Sequence, residues 1–506
     1  MSTSLSADLN RNEITPGIEP ARHWINGEWI GSSTVANSIS NSTGEVLGQY
    51  SAGGRTEAVA AIAAARNAFD NGAWAHDPQL RARALSELAD RLDERAEAIA
   101  LTLSREMGKT LQDSKLEAIW SPFTLRYNAG TALSQVGTSA EIAPGVFATS
   151  MREPIGVAGI IVPWNSPLAL LLRALGPALA AGCTTVIKLP GQTALVNSLI
   201  AEAAAATASL PKGVVNIFTE AGNEGAPFMV ESPDIDVINY TGSTKVGRLV
   251  AAQGANTLKR MCLELGGKTP LVVFEDADIA TVAPIVVKAI TQFNGQFCMT
   301  GSRVLVQRSV ADAWRKRIAS LLESTVVGPA DDLNTEMGPV IDRANVARID
   351  RIVEDAKRYA RVVVRGGPIV DGPLAAGAFY RPSMLETEQL DVPLVQEEIF
   401  GPVLSFEVFT TEQEAINRAN ATVYGLAAAL FTKDFDRAHR VARAIKAGTV
   451  WTNTWGVGAL NDAFEEGGFK YSGIGRARGA RAMEEFQEVK TQIQAVAPAP
   501  IDHPRA

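Results

Sequence analysis

Cys298, Glu264 and Asn165 are the side chains of this sequence whose types and settings suit covalent chemistry. Cys298 follows a predicted helix through a turn containing Gly295 and precedes a predicted strand at 303–307, so regular structure braces the thiol on both sides. A nucleophile is expected in such a place. The alternative is a small buried core residue, because a lone cysteine is often one and the Gly-Gln-Phe-Cys setting is by itself only moderately specific.

Glu264 and Asn165 follow predicted strands and could serve the same chemistry. Glu264 ends an apolar segment just before two glycines, so burial would raise the pKa of its carboxyl and let it act as a base near neutral pH. An ion pair with Lys268 is the alternative interpretation. Asn165 lies in a Pro-flanked loop, where its amide could stabilise an oxyanion or simply form the turn.

The elements that must position these side chains indicate an α/β fold. From Pro154 onward, strand-length apolar runs alternate with helical segments, which is the pattern of a parallel sheet wrapped by helices. A second series of this kind follows Gly266, where a domain boundary is predicted. The helix before Cys298 belongs to the second series, with Asp276 and Asp278 as candidate N-caps. Strands are predicted at 156–162, 184–189, 214–218, 237–240, 271–274, 303–307, 362–364, 403–408, 427–431 and 449–452.

The first part of the chain is predicted to be framework. Residues 1–20 are expected to form a disordered leader, and Asn26-Gly27 predicts a hairpin. Two amphipathic helices are expected, one carrying residues 59–69 and the other residues 85–99. Residues 106–109 are interpreted as the solvated face of a third helix.

Composition excludes several classes of function. The chain has 506 residues, enough for two or three domains, and a net charge of −8 with no basic face for nucleic acid. No apolar segment reaches membrane-spanning length, and the polar start of the sequence carries no secretory signal, so a cytoplasmic location is expected. The three cysteines, Cys183, Cys262 and Cys298, are odd in number and lack metal-ligand spacing, which indicates reduced thiols and no metal site.

A strand-to-helix turn at Tyr240–Gly247 is a candidate phosphate site. The backbone N–H groups and the dipole at the start of a helix bind phosphate, and this turn opens a predicted helix. Its glycine spacing is neither that of a dinucleotide fingerprint nor that of a P-loop. An ordinary turn between a strand and a helix is therefore an equal alternative.

In combination, these segments resemble, in order, the signatures of the aldehyde dehydrogenase superfamily. The resemblance extends from about Trp24 to Lys490, and the separation of 34 residues between Glu264 and Cys298 also matches. The matching segments are Pro163-Trp164-Asn165, Lys188, Gly242–Gly247, Glu264–Lys268, Gly295–Cys298, Glu398–Pro402 and Gly467–Lys470.

The resemblance implies an activity and catalytic roles. Cys298 would be the nucleophile that attacks an aldehyde, Glu264 the base that activates the hydrolytic water, and Asn165, with the backbone N–H of Cys298, the oxyanion hole. The hydride would pass to NAD+ or NADP+, and the resulting thioester would be hydrolysed to the carboxylic acid. Three alternatives stay open: a relative that passes the thioester to coenzyme A, a catalytically silent binding or structural protein on the same fold, and a cysteine hydrolase without cofactor. Relatives of the first kind commonly lack the base.

The resemblance also assigns a cofactor site and a domain plan. Lys188 would bind the adenine ribose, Gly222 the adenine face, and Glu398 the nicotinamide ribose. The other cofactor-site residues would be Gly242, Ser243 and Gly247 at the pyrophosphate, Phe400 near the nicotinamide end, and Trp164 and Leu265. A Rossmann-type cofactor domain would comprise 21–134 and 153–265, an α/β catalytic domain 266–466, and a small β oligomerisation element 135–152 and 484–496, giving a homodimer or homotetramer.

Departures from the family pattern concern the cofactor and the substrate. Gly191 stands where many members carry a ribose-binding Glu, so NADP+ is permitted although NAD+ is favoured. Arg173 replaces a common aromatic residue and suits an acidic substrate, because a guanidinium binds a carboxylate. Glu466, at another aromatic position, could pair with Arg173 and cancel it, or favour a cationic or hydroxylated substrate. Phe297 is compatible with aromatic or medium-chain aldehydes.

Overall fold

The computed structural model describes residues 19–496 apart from 457 and 459, so most of the predicted leader lies outside the described residues. The chain up to Glu264 forms the strands and helices β1 (His23–Ile25), β2 (Glu28–Ile30), β3 (Val35–Ile39), β4 (Val46–Ser51), α1 (Arg55–Asn71), α2 (Pro78–Asp93), α3 (Ala96–Met107), α4 (Leu111–Leu133), β5 (Thr138–Ala143), β6 (Val146–Pro154), β7 (Val157–Ile161), α5 (Pro167–Ala181), β8 (Thr184–Pro190), α6 (Ala194–Ala205), β9 (Val215–Glu220), α7 (Gly225–Glu231), β10 (Val237–Thr241), α8 (Thr244–Gly254) and β11 (Arg260–Glu264).

The chain after Glu264 continues with a second series of elements. They are β12 (Pro270–Val273), α9 (Ile279–Thr291), β13 (Arg303–Gln307), α10 (Ala311–Ser324), α11 (Arg343–Ala356), β14 (Arg361–Val364), β15 (Gly367–Pro368), β16 (Tyr380–Arg381), β17 (Ser383–Glu386), α12 (Pro393–Gln396), β18 (Val403–Phe409), α13 (Glu412–Ala419), β19 (Ala427–Phe431), α14 (Phe435–Ala444), β20 (Thr449–Thr452), β21 (Gly473–Ile474), α15 (Gly479–Glu484) and β22 (Gln487–Ala495). Among the described residues, no helix is both long enough and apolar enough to cross a bilayer.

The first sheet is doubly wound around a parallel centre. Its strand order is β2-β1-β9-β8-β7-β10-β11-β21, with β9, β8, β7, β10 and β11 parallel. The order reverses between β7 and β10, and ligands of such sheets bind outside the carboxyl ends of the strands at this switch point. The loop that carries Asn165 follows β7, and the turn at Gly242 follows β10. The predicted α/β fold is confirmed, and its topology brings two of the predicted site segments together.

The second sheet is built from strands that follow Glu264 in the chain. Its order is β14-β17-β18-β13-β12-β19-β20, and every pairing except β14 with β17 is parallel. Glu264 ends β11 at the carboxyl edge of the first sheet, whereas Cys298 precedes β13 at the amino edge of the second. Opposite edges of two sheets therefore hold the two candidate catalytic groups.

A third, three-stranded antiparallel sheet joins the middle of the chain to its C-terminal part. Its order is β22-β6-β5, with Gln487 paired to Pro154 and Ala495 to Val146. All six residues of β5 and most of β22 are exposed. The pairing predicted between these two distant segments is thus present, and it forms at the surface.

Three local predictions about the helices need correction. The helix expected over 85–99 is two helices, because α2 ends at Asp93 and α3 starts at Ala96. Asp278 caps α9 by accepting the Ala280 N–H, but Asp276 instead accepts hydrogen bonds from Thr432 and Lys433. The segment 106–109 is not a solvated face, since Glu106 and Lys109 are both buried.

Candidate active site

The Cys298 loop is held in an unusual backbone conformation. After α9, Phe293, Asn294 and Gly295 have positive φ angles of 51°, 60° and 72°, a conformation that costs energy for residues other than glycine. The Asn294 amide supports it by donating to the carbonyls of Gly108 and Pro339 at 2.8 and 2.6 Å. The chain then turns through Cys298 into β13. The thiol is therefore fixed by its own loop and by two distant segments.

Cys298 lies in the wall of a cavity of about 120 Å³ and is partly exposed. Burial raises the pKa of its thiol to about 12, although Arg173 acts in the opposite direction. Phe297 packs edge-on against Phe293 and Trp455, with ring centroids 5.3 and 6.2 Å away. The thiol thus sits beside an aromatic wall and is protonated at neutral pH. Cys183 and Cys262, by contrast, are buried core thiols.

Glu264 is a buried carboxyl without a partner. Only 3% of the residue is exposed, and neither oxygen has a hydrogen-bond partner among the described residues. Burial raises the pKa of Glu264 to about 8; Arg173 lowers it and Glu466 raises it further. The alternative ion pair with Lys268 is not formed in the described part of the chain, where the Lys268 amine also lacks a partner. A carboxyl in this state can accept a proton from water near neutral pH.

Asn165 connects the two sheets. Its side-chain Nδ2 donates to the backbone carbonyl of Gln296 at 3.1 Å, so the loop after β7 contacts the loop before β13. The backbone N–H of Cys298 has no acceptor among the described residues. The second N–H of the Asn165 amide and the Cys298 N–H therefore have no acceptor in the described chain, and an oxyanion site needs donors of this kind.

The predicted cofactor residues Lys188, Gly222, Ser243 and Gly247 lie near or after the carboxyl ends of β8, β9 and β10. Lys188, at the carboxyl end of β8, is half-buried and forms no ion pair within the described residues; burial lowers the pKa of its amine. A Cβ atom on Gly222 would meet no atom within 4 Å, so this exposed position leaves room for a flat group. Ser243 caps α8 by accepting the Val246 N–H. Gly247 packs on Leu265, because a Cβ there would lie 2.4 Å from the leucine side chain.

Glu398, Phe400 and Trp164 are further predicted cofactor residues. Glu398 accepts the Gly267 N–H at 3.1 Å, and burial raises the pKa of its carboxyl to about 7. A Cβ on Gly267 would lie 2.4 Å from the Cys298 carbonyl, so the glycine is required for this close approach. The rings of Trp164 and Phe400 pack edge to face, 5.6 Å apart. Gly267 therefore links Glu398 to the backbone of Cys298.

The model of the aldehyde dehydrogenase family matches residues 29–492 of this chain. The chain belongs to this family. Aldehyde dehydrogenase 1 of Tanacetum cinerariifolium is 37% identical over 96% of this chain and 98% of its own length. Betaine aldehyde dehydrogenase of Bacillus subtilis is 34% identical over 95% and 98%, respectively. The crystal structure of betaine aldehyde dehydrogenase from Staphylococcus aureus in complex with NAD+ is 34% identical, with a TM-score of 0.92 over 96% of this chain and 97% of that one.

As an aldehyde dehydrogenase, the chain is an NAD(P)-dependent oxidoreductase that acts on aldehydes. Of the three residues predicted to be catalytic, Asn165 contacts the Cys298 loop, and the charge of Glu264 acts to raise the pKa of the Cys298 thiol. Arg173 and Glu466 line the same cavity and form a buried ion pair. The pairing that the sequence left open is thus present.

Sequence interpretation missed a buried cluster beneath the Asn165 loop of this aldehyde dehydrogenase. The Lys109 amine donates to Ser166 at 2.9 Å, pairs with Glu117, and lies 3.8 Å above the Phe293 ring. Glu117 also accepts the first free N–H groups of α5, from Leu168 and Ala169, at 3.1 Å each. A signal was available: Gly108 ends α3 in a left-handed conformation and Thr110 caps α4, so Lys109 had to lie between two helices.

Proposed function

We propose that this aldehyde dehydrogenase converts an aldehyde to the carboxylic acid through a covalent adduct on Cys298, with Glu264 activating the water that releases the acid. The observation that carries the proposal is the unpartnered, buried Glu264 carboxyl, whose pKa is raised to about 8 and whose charge acts on the pKa of the partly exposed Cys298 thiol. A structural carboxylate would be paired, since an unpaired buried charge is costly. Burial without a hydrogen-bond partner is instead typical of a catalytic base, which must gain and lose a proton near neutral pH.

In the first step, the Cys298 thiol releases its proton to solvent water, and the sulfur bonds to the aldehyde carbon as the carbonyl π bond opens. The carbonyl oxygen becomes an oxyanion, and it accepts hydrogen bonds from the Asn165 amide and the Cys298 N–H. Because burial holds the pKa of the thiol near 12, the proton must leave as the substrate binds. Arg173 favours the thiolate, since its charge lowers the same pKa.

In the last step, Glu264 removes a proton from a water molecule that attacks the acyl carbon bonded to Cys298. The carbon–sulfur bond breaks, the acid leaves, and the thiol is restored by the proton that Glu264 took up. The raised pKa makes the carboxylate a stronger base than an exposed glutamate, and it also means that most of the carboxyl is protonated near pH 7, so the hydrolytic step is expected to become faster as the pH rises.

The cofactor we propose is NAD+, with NADP+ permitted, because the similar Staphylococcus aureus enzyme is crystallised with NAD+. The free amine of Lys188, the open face of Gly222 and the carboxylate of Glu398 fit a dinucleotide. Lys188 would hold the adenine ribose, the Gly242–Gly247 turn with Ser243 the pyrophosphate, and Glu398 the nicotinamide ribose. Phe400, Trp164 and Leu265 would pack against the cofactor. When bound, the nicotinamide supplies the acceptor for the aldehyde hydride.

The remaining proposals concern organisation. We assign residues 21–134 and 153–265 to cofactor binding, 266–466 to catalysis, and the third sheet to homodimer or homotetramer assembly. Exposed apolar residues on this sheet, Ile142, Val489 and Ile493, support assembly. The absence of a disulfide among the described cysteines supports a reducing, cytoplasmic location. Light scattering of the purified chain tests the assembly, because a monomer would contradict it.

The experiment that tests the activity follows the absorbance of reduced nicotinamide with NAD+ and NADP+ separately. We expect turnover of aldehydes without coenzyme A and release of the free acid, identified by chromatography. Turnover that requires coenzyme A would favour the acylating alternative. Cofactor binding without turnover of aliphatic, aromatic or amino aldehydes would favour a silent protein.

A further inference from the structure

Four charged side chains of alternating sign form a chain along one wall of the Cys298 cavity. Arg173 pairs with Glu466, the other oxygen of Glu466 accepts from Arg478 at 2.8 Å, and Arg478 pairs with Asp462. Asp462 in turn accepts from Thr124 at 3.0 Å. All five residues line the cavity with Cys298. The wall therefore carries two positive and two negative charges, each satisfied by its neighbours.

The inner pair of this chain is buried and doubly held. The side chains of Arg173 and Glu466 are each 5% exposed, and Arg173 also donates to Thr241 at 3.2 Å. Burial acts to raise the pKa of Glu466, but Arg173 and Arg478 outweigh it and lower that pKa, so Glu466 is ionised. Its backbone is fixed as well, because Glu466 and Ala477 exchange both N–H···O bonds, at 2.6 and 2.7 Å. Glu466 is thus held in its ion pair with Arg173 through both its side chain and its backbone.

This arrangement changes what the cavity can bind. Because the Arg173 side chain is 5% exposed and paired with Glu466, a substrate carboxylate would have to compete with Glu466 for it, and losing Arg173 would leave Glu466 with one partner fewer. The substrate carboxylate would also lie close to the like charges of Glu466 and Asp462. An uncharged aldehyde meets neither penalty, because the rest of the wall includes apolar Trp120, Leu170 and Phe297.

We propose that Glu466 is a specificity-determining residue: by pairing with Arg173 it excludes aldehydes that carry a carboxylate and leaves the site selective for uncharged ones. The inference rests on the proposed function, since it concerns the aldehyde that Cys298 attacks. Specificity of this kind comes from a feature that opposes the wrong ligand as much as from contacts with the right one.

The test compares 4-oxobutanoate with its methyl ester, two aldehydes that differ in one negative charge. We expect kcat/KM of the wild-type enzyme with NAD+ to be at least about tenfold lower for the carboxylate. In Glu466→Gln, Arg173 loses its charged partner and can bind the substrate, so the carboxylate-to-ester ratio should rise about ten- to a hundredfold, the range of a charged hydrogen bond. The double variant Glu466→Gln/Arg173→Leu should lose this gain.

Glu465→Gln is the matched control, because it removes the same charge from the adjacent, exposed residue and should leave the ratio at the wild-type value. A wild-type enzyme that prefers the carboxylate overturns the proposal, as does an unchanged ratio in folded Glu466→Gln that binds NAD+ normally. If Glu466→Gln does not fold, the carboxylate-to-ester ratio of kcat/KM for the wild-type enzyme still tests the proposal. Lack of turnover of both aldehydes and of simple aliphatic aldehydes would instead contradict the proposed function.

Discussion

The side-chain amide of Asn165 donates a 3.1 Å hydrogen bond to the backbone carbonyl of Gln296, two residues before Cys298. This bond connects the loop at the carboxyl edge of the first sheet to the loop at the amino edge of the second sheet. It uses one of the two amide N–H groups to fix the nucleophile loop. The other N–H has no acceptor in the described chain, and in the proposed mechanism it donates to the oxyanion that forms when the thiol attacks.

Asn165→Ala should lower kcat about 10²- to 10³-fold, because it removes one oxyanion donor and the bond to the nucleophile loop. NAD+ affinity should stay within a few fold of the wild-type value. Steady-state kinetics and calorimetric titration measure the two quantities. A fall in kcat of less than tenfold in a variant with an unchanged melting temperature would speak against the oxyanion role.

Cys298→Ala should abolish aldehyde oxidation and preserve NAD+ binding, because the covalent adduct cannot form. The matched control is Cys183→Ala, which removes a buried thiol that donates to the Phe486 carbonyl at 3.3 Å. The control should keep its kcat and lose about 1–2 kcal/mol of unfolding free energy. If Cys298→Ala keeps its activity, or if folded Cys183→Ala loses it, Cys298 is not the nucleophile.

Glu264→Gln should still release a burst of reduced cofactor and then stall, because oxidation precedes hydrolysis. In the wild-type enzyme the hydrolytic step needs the carboxylate, whose pKa is raised to about 8. The rate of that step should therefore increase as the pH rises from 6 to 9. Rapid mixing measures the burst, and a pH profile of kcat measures the ionisation. A folded variant without a burst would place Glu264 in the first step.

The raised pKa of Glu264 should make the stability of the enzyme fall as the pH rises, whereas it makes the hydrolytic rate increase. Its native pKa is higher than that of an exposed glutamate, so the native state binds the proton more tightly than the unfolded state. Its contribution to stability is complete below the ordinary pKa of about 4.5 and is lost as the pH rises through about 8. Glu264→Gln should accordingly flatten the decline in unfolding free energy between pH 5 and 8, measured by urea denaturation.

Lys109→Met should destabilise the enzyme by about 3–5 kcal/mol, because Glu117 would remain buried without its cationic partner. It should also lower kcat, since Ser166, next to Asn165, loses its donor. The double variant Lys109→Met/Glu117→Met should recover part of the stability. Denaturant unfolding compares the variants. Lys357→Met, which removes half of an exposed ion pair, is the control and should change neither quantity measurably.

Lys188→Ala should weaken binding of NAD+ and NADP+ by about tenfold or more and leave the melting temperature nearly unchanged, because the half-buried amine has no structural ion pair in the described chain. Lys212→Ala provides an exposed lysine control outside the predicted cofactor site. Calorimetric titration of both cofactors measures the change. If Lys188→Ala and the wild type bind both cofactors with equal affinity, Lys188 does not contact the cofactor.

The sequence alone determined the local elements well where hydrophobic pattern and turn residues agree. The strand at Arg303–Gln307 has the predicted bounds, and the Asn26-Gly27 hairpin pairs Ile25 with Glu28 as expected. These features depend on neighbouring residues, so a local pattern is sufficient to specify them. The family signatures likewise identified Cys298, Glu264 and Asn165 as candidates before any contact was known.

Tertiary structure alone decided what the charged side chains do. Glu106, predicted to face solvent, is buried and caps α6 through the N–H groups of Leu195 and Val196, about ninety residues away. Arg173, in α5, and Glu466, which pairs with Ala477 outside the named strands, are 293 residues apart in sequence and meet only in the folded chain. Whether a charge is solvated, paired or left unpartnered depends on groups brought by other elements, and a pattern of neighbours along the chain contains no information about them.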